Sequence, residues 1–132
     1  MIAALRGMVI PVLRELEFSG SFPHFRRIRE SQIDLLTFQF NRHGGSFVVE
    51  IAVCDTEGFT TAWGEKLPPN KVSAHDLHPK NRLRLGSRAA GKSDFWFSYE
   101  PFQPEIYEAV AAKLLLLIRS EAEVFWQTQT IS

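Results

Sequence analysis

The chain has 132 residues, 45% of them apolar, with eleven Phe, three Trp and one Cys. That is the length of one domain, 1–132, with enough apolar mass for a core that needs no disulfide or metal. Fifteen Lys and Arg balance fifteen Asp and Glu, and zero net charge argues against non-specific nucleic-acid or membrane binding, leaving only local patches as charged sites.

The first 13 residues are apolar but lack a basic leader region, and Arg6 interrupts them. They do not read as a signal peptide. The longest apolar run near the C-terminus, "LLLLI", is far short of the ~20 residues of a membrane span. The expectation is a soluble, cytoplasmic chain. Cys54 ends an apolar run and reads as a buried, inert thiol.

Leu5, Met8, Val9, Val12, Leu13 and Leu16 recur at helical spacing. Pro11 sits among them, so the spacing predicts either a kinked helix or a turn followed by a helix from Pro11. "FSGSFP" breaks it. Three strand-like runs follow: "PHFRRIRE", "QIDLLTFQF" and "SFVVEIAVC". Two-residue loops at Glu30-Ser31 and His43-Gly44 place Phe25 opposite Leu36, Arg27 opposite Asp34, Phe38 opposite Val49 and Phe40 opposite Phe47. All the bulky partners then fall on one face, as an antiparallel meander requires. Residues 56–80 show no period and read as a long loop around an edge, with Trp63 and Phe59 tucked onto the body. "NRLRLG" and "DFWFSYE" read as two more strands, and residues 101–127 as a closing amphipathic helix. Its apolar stripe is Tyr107, Val110, Ala111, Leu114, Ile118, Ala122 and Phe125. The fold class is therefore α+β: an antiparallel four- to five-stranded meander with N- and C-terminal helices packed on one face.

"GSRAAGKS", residues 86–93, fits the phosphate-loop pattern G-x-x-x-x-G-K-[ST]. The chemistry of that loop needs a helix directly behind it, whose N-terminal amides meet the phosphate. Here an aromatic strand follows, and no later strand supplies a metal-binding Asp. The stretch is expected to be an exposed hairpin loop with Lys92 in water.

Three constellations remain. On the face opposite the phenylalanines, the register puts His24, Thr37 and Glu50 in one row, with Arg26 and Gln39 beside them. A histidine near a carboxylate, a hydroxyl and an amide suits recognition of a polar ligand or acid–base chemistry. A meander also commonly leaves one face wet, and the row is expected on such a face. The run "KNRLRLGSRAAGK" carries five bases and no acid. Arg82, Arg84, Arg88 and Lys92 could grip an anion, or face the acidic closing helix with its Glu105, Glu108, Glu121 and Glu123. "HDLH" holds His75 and His78 without a third donor and reads as a surface loop, so no metal or other cofactor is expected.

"FSGSFPHFRR", "DLLTFQFNRHGGSFVVEIA" and "DFWFSYE" together resemble the bacterial family of domain of unknown function 4304. The resemblance implies a helix, a meander opening on a Phe-Arg strand, a strand carrying Phe38 and Gln39, and a terminal helix. It supplies no catalytic residues. Glu17-Phe18 stands where the family usually has Gly-Phe, which puts the turn after the first helix in question. The leading expectation is a non-catalytic interaction module binding a protein or small polar ligand through His24, Arg26, Thr37, Gln39 and Glu50. The alternatives are a small hydrolase or transferase using His24 and Glu50, and an anion binder using the 80–92 segment.

Overall fold

The computed structural model describes residues 1–92 and 94–129. Four strands form an antiparallel meander: β1 (Ser19–Ser21), β2 (His24–Ile28), β3 (Ile33–Phe40) and β4 (Ser46–Cys54). Phe25 lies opposite Leu36, Arg27 opposite Asp34, Phe38 opposite Val49 and Phe40 opposite Phe47, as the two tight turns require. β1 was not legible, because Ser-Gly-Ser shows no apolar alternation.

Residues 56–80 hold the small hairpin of β5 (Phe59–Thr60) and β6 (Lys66–Leu67). They do not simply skirt an edge. Val72, Ala74 and Leu77 seal the second face of the sheet against Ile33, Leu35, Ala52 and Cys54. Those strand residues are apolar on the face away from the phenylalanines, and so demand a cover. Phe59 packs against this cluster, whereas Trp63 stands 77% exposed rather than tucked in.

The other edge of β4 corrects the expected hairpin. β7 (Leu83–Arg84) and β8 (Phe97–Ser98) do not pair with each other. Both run antiparallel to β4, with Arg84 opposite Glu50 and Phe97 opposite Phe47. They are two pieces of one edge strand, and the chain departs between them into a one-turn helix, Ser87–Ala90. Gly86 opens the excursion at φ 95°, and a Cβ there would meet Phe95 Cδ2 at 2.5 Å. Only glycine suits this crossing.

Both terminal helices pack on the phenylalanine face, where Leu5, Leu13, Phe38, Phe47, Leu114 and Trp126 share one core. The first helix, residues 2–15, does not break at Pro11. Pro11 has no N–H to offer Gly7, and the turn Leu5–Val9 widens instead, with Ile10 N–H donating to Leu5 O. The helix ends with Phe18 N–H on Leu13 O at 2.9 Å and Glu17 N–H on Arg14 O at 3.0 Å. That pair of bonds defines a Schellman cap, which places its C′ residue in the left-handed region. Glu17 takes that role at φ 73°, so the turn forms even without a glycine at this position. The closing helix runs Pro104–Leu117, widens over Ile118–Ala122 and ends with Glu123–Thr128. The buried stripe is broader than expected here, and Leu117, Glu121 and Trp126 are buried beside the expected Ile118, Ala122 and Phe125. No helix among the described residues is long and apolar enough to cross a membrane.

Sheet and closing helix are joined by charge. Asp34 is fully buried and accepts from Arg27 Nε at 2.9 Å, Gln32 Nε2 at 2.6 Å and Arg29 Nη2 at 3.3 Å. Arg27 reaches on to Glu123 at 2.7 Å, its guanidinium lying over the rings of Phe18 and Trp126. Gln32 and Arg29 also donate to the Trp126 carbonyl, at 2.7 and 3.1 Å. That carbonyl belongs to the last helical turn, whose acceptors have no partner within the helix.

Replacing Asp34 with Ala leaves buried Arg27 without one of its two counter-ions and buried Gln32 without one of its acceptors, and is expected to cost about 3–5 kcal/mol in urea unfolding. Glu17→Gly relieves a left-handed non-glycine residue and is expected to raise stability by about 0.5–1 kcal/mol, read as a higher urea midpoint at unchanged slope.

Candidate functional site

The row read from the sequence exists, and it is longer than expected. His24, Thr37 and Glu50 are cross-strand neighbours, and Arg84 continues the line on β7. The row is not wet. Thr37 is fully buried and Glu50 is 6% exposed, because the 56–80 segment lies over it. His24 Nδ1 lies 3.1 Å from Thr37 Oγ1, and its ring meets His75 edge-on at 6.0 Å. Arg26 is bound through Nε and Nη2 to the Val72 carbonyl at 3.1 and 3.0 Å, tying the cover down. Gln39 alone of the five is exposed. Among the described residues no hydrogen bond joins His24 to Glu50.

Glu50 instead faces the bases. Its Oε1 accepts from Arg84 Nε and Nη2 at 3.3 and 2.9 Å, and Arg82 Nη1 lies 4.0 Å away. Arg82 is further fixed by donating from Nε to the Leu77 carbonyl at 3.0 Å. Arg84 also pairs with Asp94 and stacks over Trp96. Burial works against the Arg84 charge, but the bonds to Glu50 and Asp94 outweigh it and raise its pKa. The two sequence hypotheses therefore meet at one carboxylate. Glu50, taken as a ligand or catalytic group, is the rear anchor of the arginines taken as an anion grip.

Those arginines line a cavity of about 520 Å³, and among the described residues its wall holds Lys80, Arg82, Arg84, Arg88 and Lys92 and no acid. Of the two readings of this run, pairing with the closing helix is not seen: among the described residues Arg82 and Arg84 meet Glu50 and Asp94 instead. Glu121 of that helix is 7% exposed and turns to the phosphate-loop-like stretch, accepting from the N–H groups of Gly86 at 3.0 Å and Arg88 at 3.4 Å. The amides that would have met a phosphate already hold an internal carboxylate. Lys92 is exposed, as expected. Ser93, the last letter of the motif, lies outside the described residues.

The "HDLH" stretch is only partly the surface loop expected. His75 belongs to the cover, where its buried Nε2 has no hydrogen-bond partner among the described residues. His78 is exposed and accepts the Lys80 N–H, so the "HDLH" pair diverges. Among the described residues, no cluster of three or more His, Cys, Asp or Glu is placed to hold a metal ion. Burial lowers the His75 pKa, and nearby Arg82 and His24 add to this. Burial lowers His24 as well, against an opposing pull from Asp76. Cys54 is buried, and burial, reinforced by Asp55, pushes its thiol up to about 11.

The geometry defines a small α+β protein with a basic groove on one edge of its sheet, where Glu50 holds Arg84 from behind. Over residues 9–127 the chain matches the family described as Domain of unknown function (DUF4304), and it belongs to that family. No curated protein and no solved structure matches it.

Both histidines have folded pKa values below their ordinary 6.5. Below pH 6.5 the unfolded chain takes up protons that the folded chain resists, so stability falls as pH drops and levels off once the folded histidines also protonate. The urea midpoint is expected to decline from pH 7.5 to 5 more steeply in the wild type than in His75→Gln. A parallel decline in the two proteins would remove His75 from the account. Cys54 should react with a thiol reagent at pH 8 orders of magnitude more slowly in the folded than in the unfolded chain.

Proposed function

We propose that this chain is a single-domain, non-catalytic binding module of the bacterial cytoplasm that takes a small anionic ligand in the groove lined by Lys80, Arg82, Arg84, Arg88 and Lys92. One observation carries the reading: among the described residues, five bases and no acid line one concavity of about 520 Å³, in a chain of zero net charge. That volume is in the range of small-molecule sites, ~300–1,000 Å³. The local positive field draws an anion without the general basicity that would collect nucleic acid.

The row of His24, Thr37 and Glu50 serves this site from behind. Glu50 sets the direction of Arg84 and lies near Arg82, and a guanidinium held in this way loses little rotamer freedom when it binds. The hydrolase or transferase reading has less support. His24 is engaged with Thr37 and Glu50 with Arg84, so neither is placed to relay a proton to the other.

Isothermal titration with inorganic phosphate, pyrophosphate and citrate tests the reading. At least one is expected to bind with an affinity that falls as salt rises. The double substitution Arg82→Ala/Arg88→Ala is expected to weaken it by at least about tenfold, ~1.4 kcal/mol. Equal affinity in the double variant would place the ligand elsewhere.

A further inference from the structure

Arg84 is held from two sides. Its Nε and Nη2 turn inward to Glu50 Oε1, at 3.3 and 2.9 Å. Its remaining nitrogen, Nη1, points the other way and is taken by the Asp94 carboxylate. The two acids differ in kind. Glu50 has an 8% exposed side chain and is locked under the cover, whereas the Asp94 side chain is 61% exposed. Asp94 also does not line the groove, although it pairs with a residue that does.

We propose that Asp94 is the resident counter-ion of the groove, and that the ligand is a compact phosphate-type dianion that takes its place on Arg84. This rests on the groove reading above and names its ligand class and its brake. An exposed ion pair contributes little to stability and is readily exchanged. Lys80, Arg82, Arg84, Arg88 and Lys92 bring five positive charges, and Glu50 and Asp94 return two. A net charge of three remains, and a single carboxylate leaves most of it unanswered. A phosphate group carries nearly two negative charges and three acceptor oxygens, and suits several guanidinium donors at once. Binding is an exchange of ion pairs: Arg84 Nη1 passes from the Asp94 carboxylate to a phosphate oxygen, Asp94 turns to water, and no covalent bond changes.

The test is titration of the intact chain with inorganic phosphate, methyl phosphate and acetate, followed by NMR amide shifts. Phosphate or methyl phosphate is expected to bind at least tenfold more tightly than acetate. A preference between the two phosphates tells a free ion from an ester terminus, and either supports the inference. Asp94→Asn removes the competitor and is expected to tighten phosphate binding roughly fivefold. Glu57→Gln makes the same charge change at an exposed site on the 56–80 segment, and is expected to alter affinity less than twofold. Tightening by the same factor in both variants would reduce Asp94 to a general field effect and overturn the proposal, as would acetate binding equal to phosphate. If anions bind through Arg82 and Arg88 but Asp94→Asn changes nothing, this inference falls and the groove reading stands. If no anion binds at all, both fall.

Discussion

The fold turns on a carboxylate with no access to water. Asp34 sits on the same sheet face as the phenylalanines, and is tolerable there because Arg27, Arg29 and Gln32 converge on it. A buried charge pair of this kind is a poor source of net stability, since desolvation offsets most of its Coulomb gain. Its value lies in what else would break. A one-residue slip between β2 and β3 would separate Arg27 from Asp34 and strand both. A closing helix displaced along its axis would lose Glu123 from Arg27, and the Trp126 carbonyl from Gln32 and Arg29. Strand register and helix position are thus coupled through one set of donors.

That placement of the helix reaches the groove. With Trp126 held, Glu121 lies one and a half turns earlier, where its carboxylate meets the amides of Gly86 and Arg88. On the other side of the same segment, Glu50 grips Arg84 from within the sheet. The excursion between β7 and β8 is therefore pinned by two acids, one on its backbone and one on its side chains. What it shows to water is what the acids leave over: Lys80, Arg88, Lys92 and the outer edges of Arg82 and Arg84.

Much of the sheet was legible because period-two alternation and two short turns leave a single register that gathers the phenylalanines. The row of His24, Thr37 and Glu50 followed from the same register. Its burial did not, since residues 56–80 have no period and their docking depends on Val72, Ala74 and Leu77 finding Leu35 and Ala52, contacts between segments distant in sequence. The hairpin expected for residues 81–100 failed for a related reason. Two short aromatic or aliphatic runs around a glycine pair look alike whether they pair with each other or both add to a third strand. Glu121 was hidden by its charge: it lies three residues after Ile118 and seven after Leu114, on the buried stripe, but a carboxylate at such a position reads as solvent-facing until the amides it meets are known.

The phosphate-loop letters at residues 86–91 show why a motif must be read with its neighbours. Glycine before the turn and glycine after it do produce a helical turn with amides to spare, so the backbone tendency is real. What reaches those amides is decided by tertiary structure, and here a carboxylate of the same chain arrives first. The consequence for charge is general. Equal numbers of acids and bases describe the chain, not its surface, and Asp34, Glu50 and Glu121 are all buried while Lys80, Arg88 and Lys92 are exposed. Glu50 offsets one charge at Arg84, and Glu121 is committed to backbone amides, so neither pairs with Lys80, Arg88 or Lys92. A neutral chain can hold a positive groove for this reason, with its buried acids setting where that groove lies.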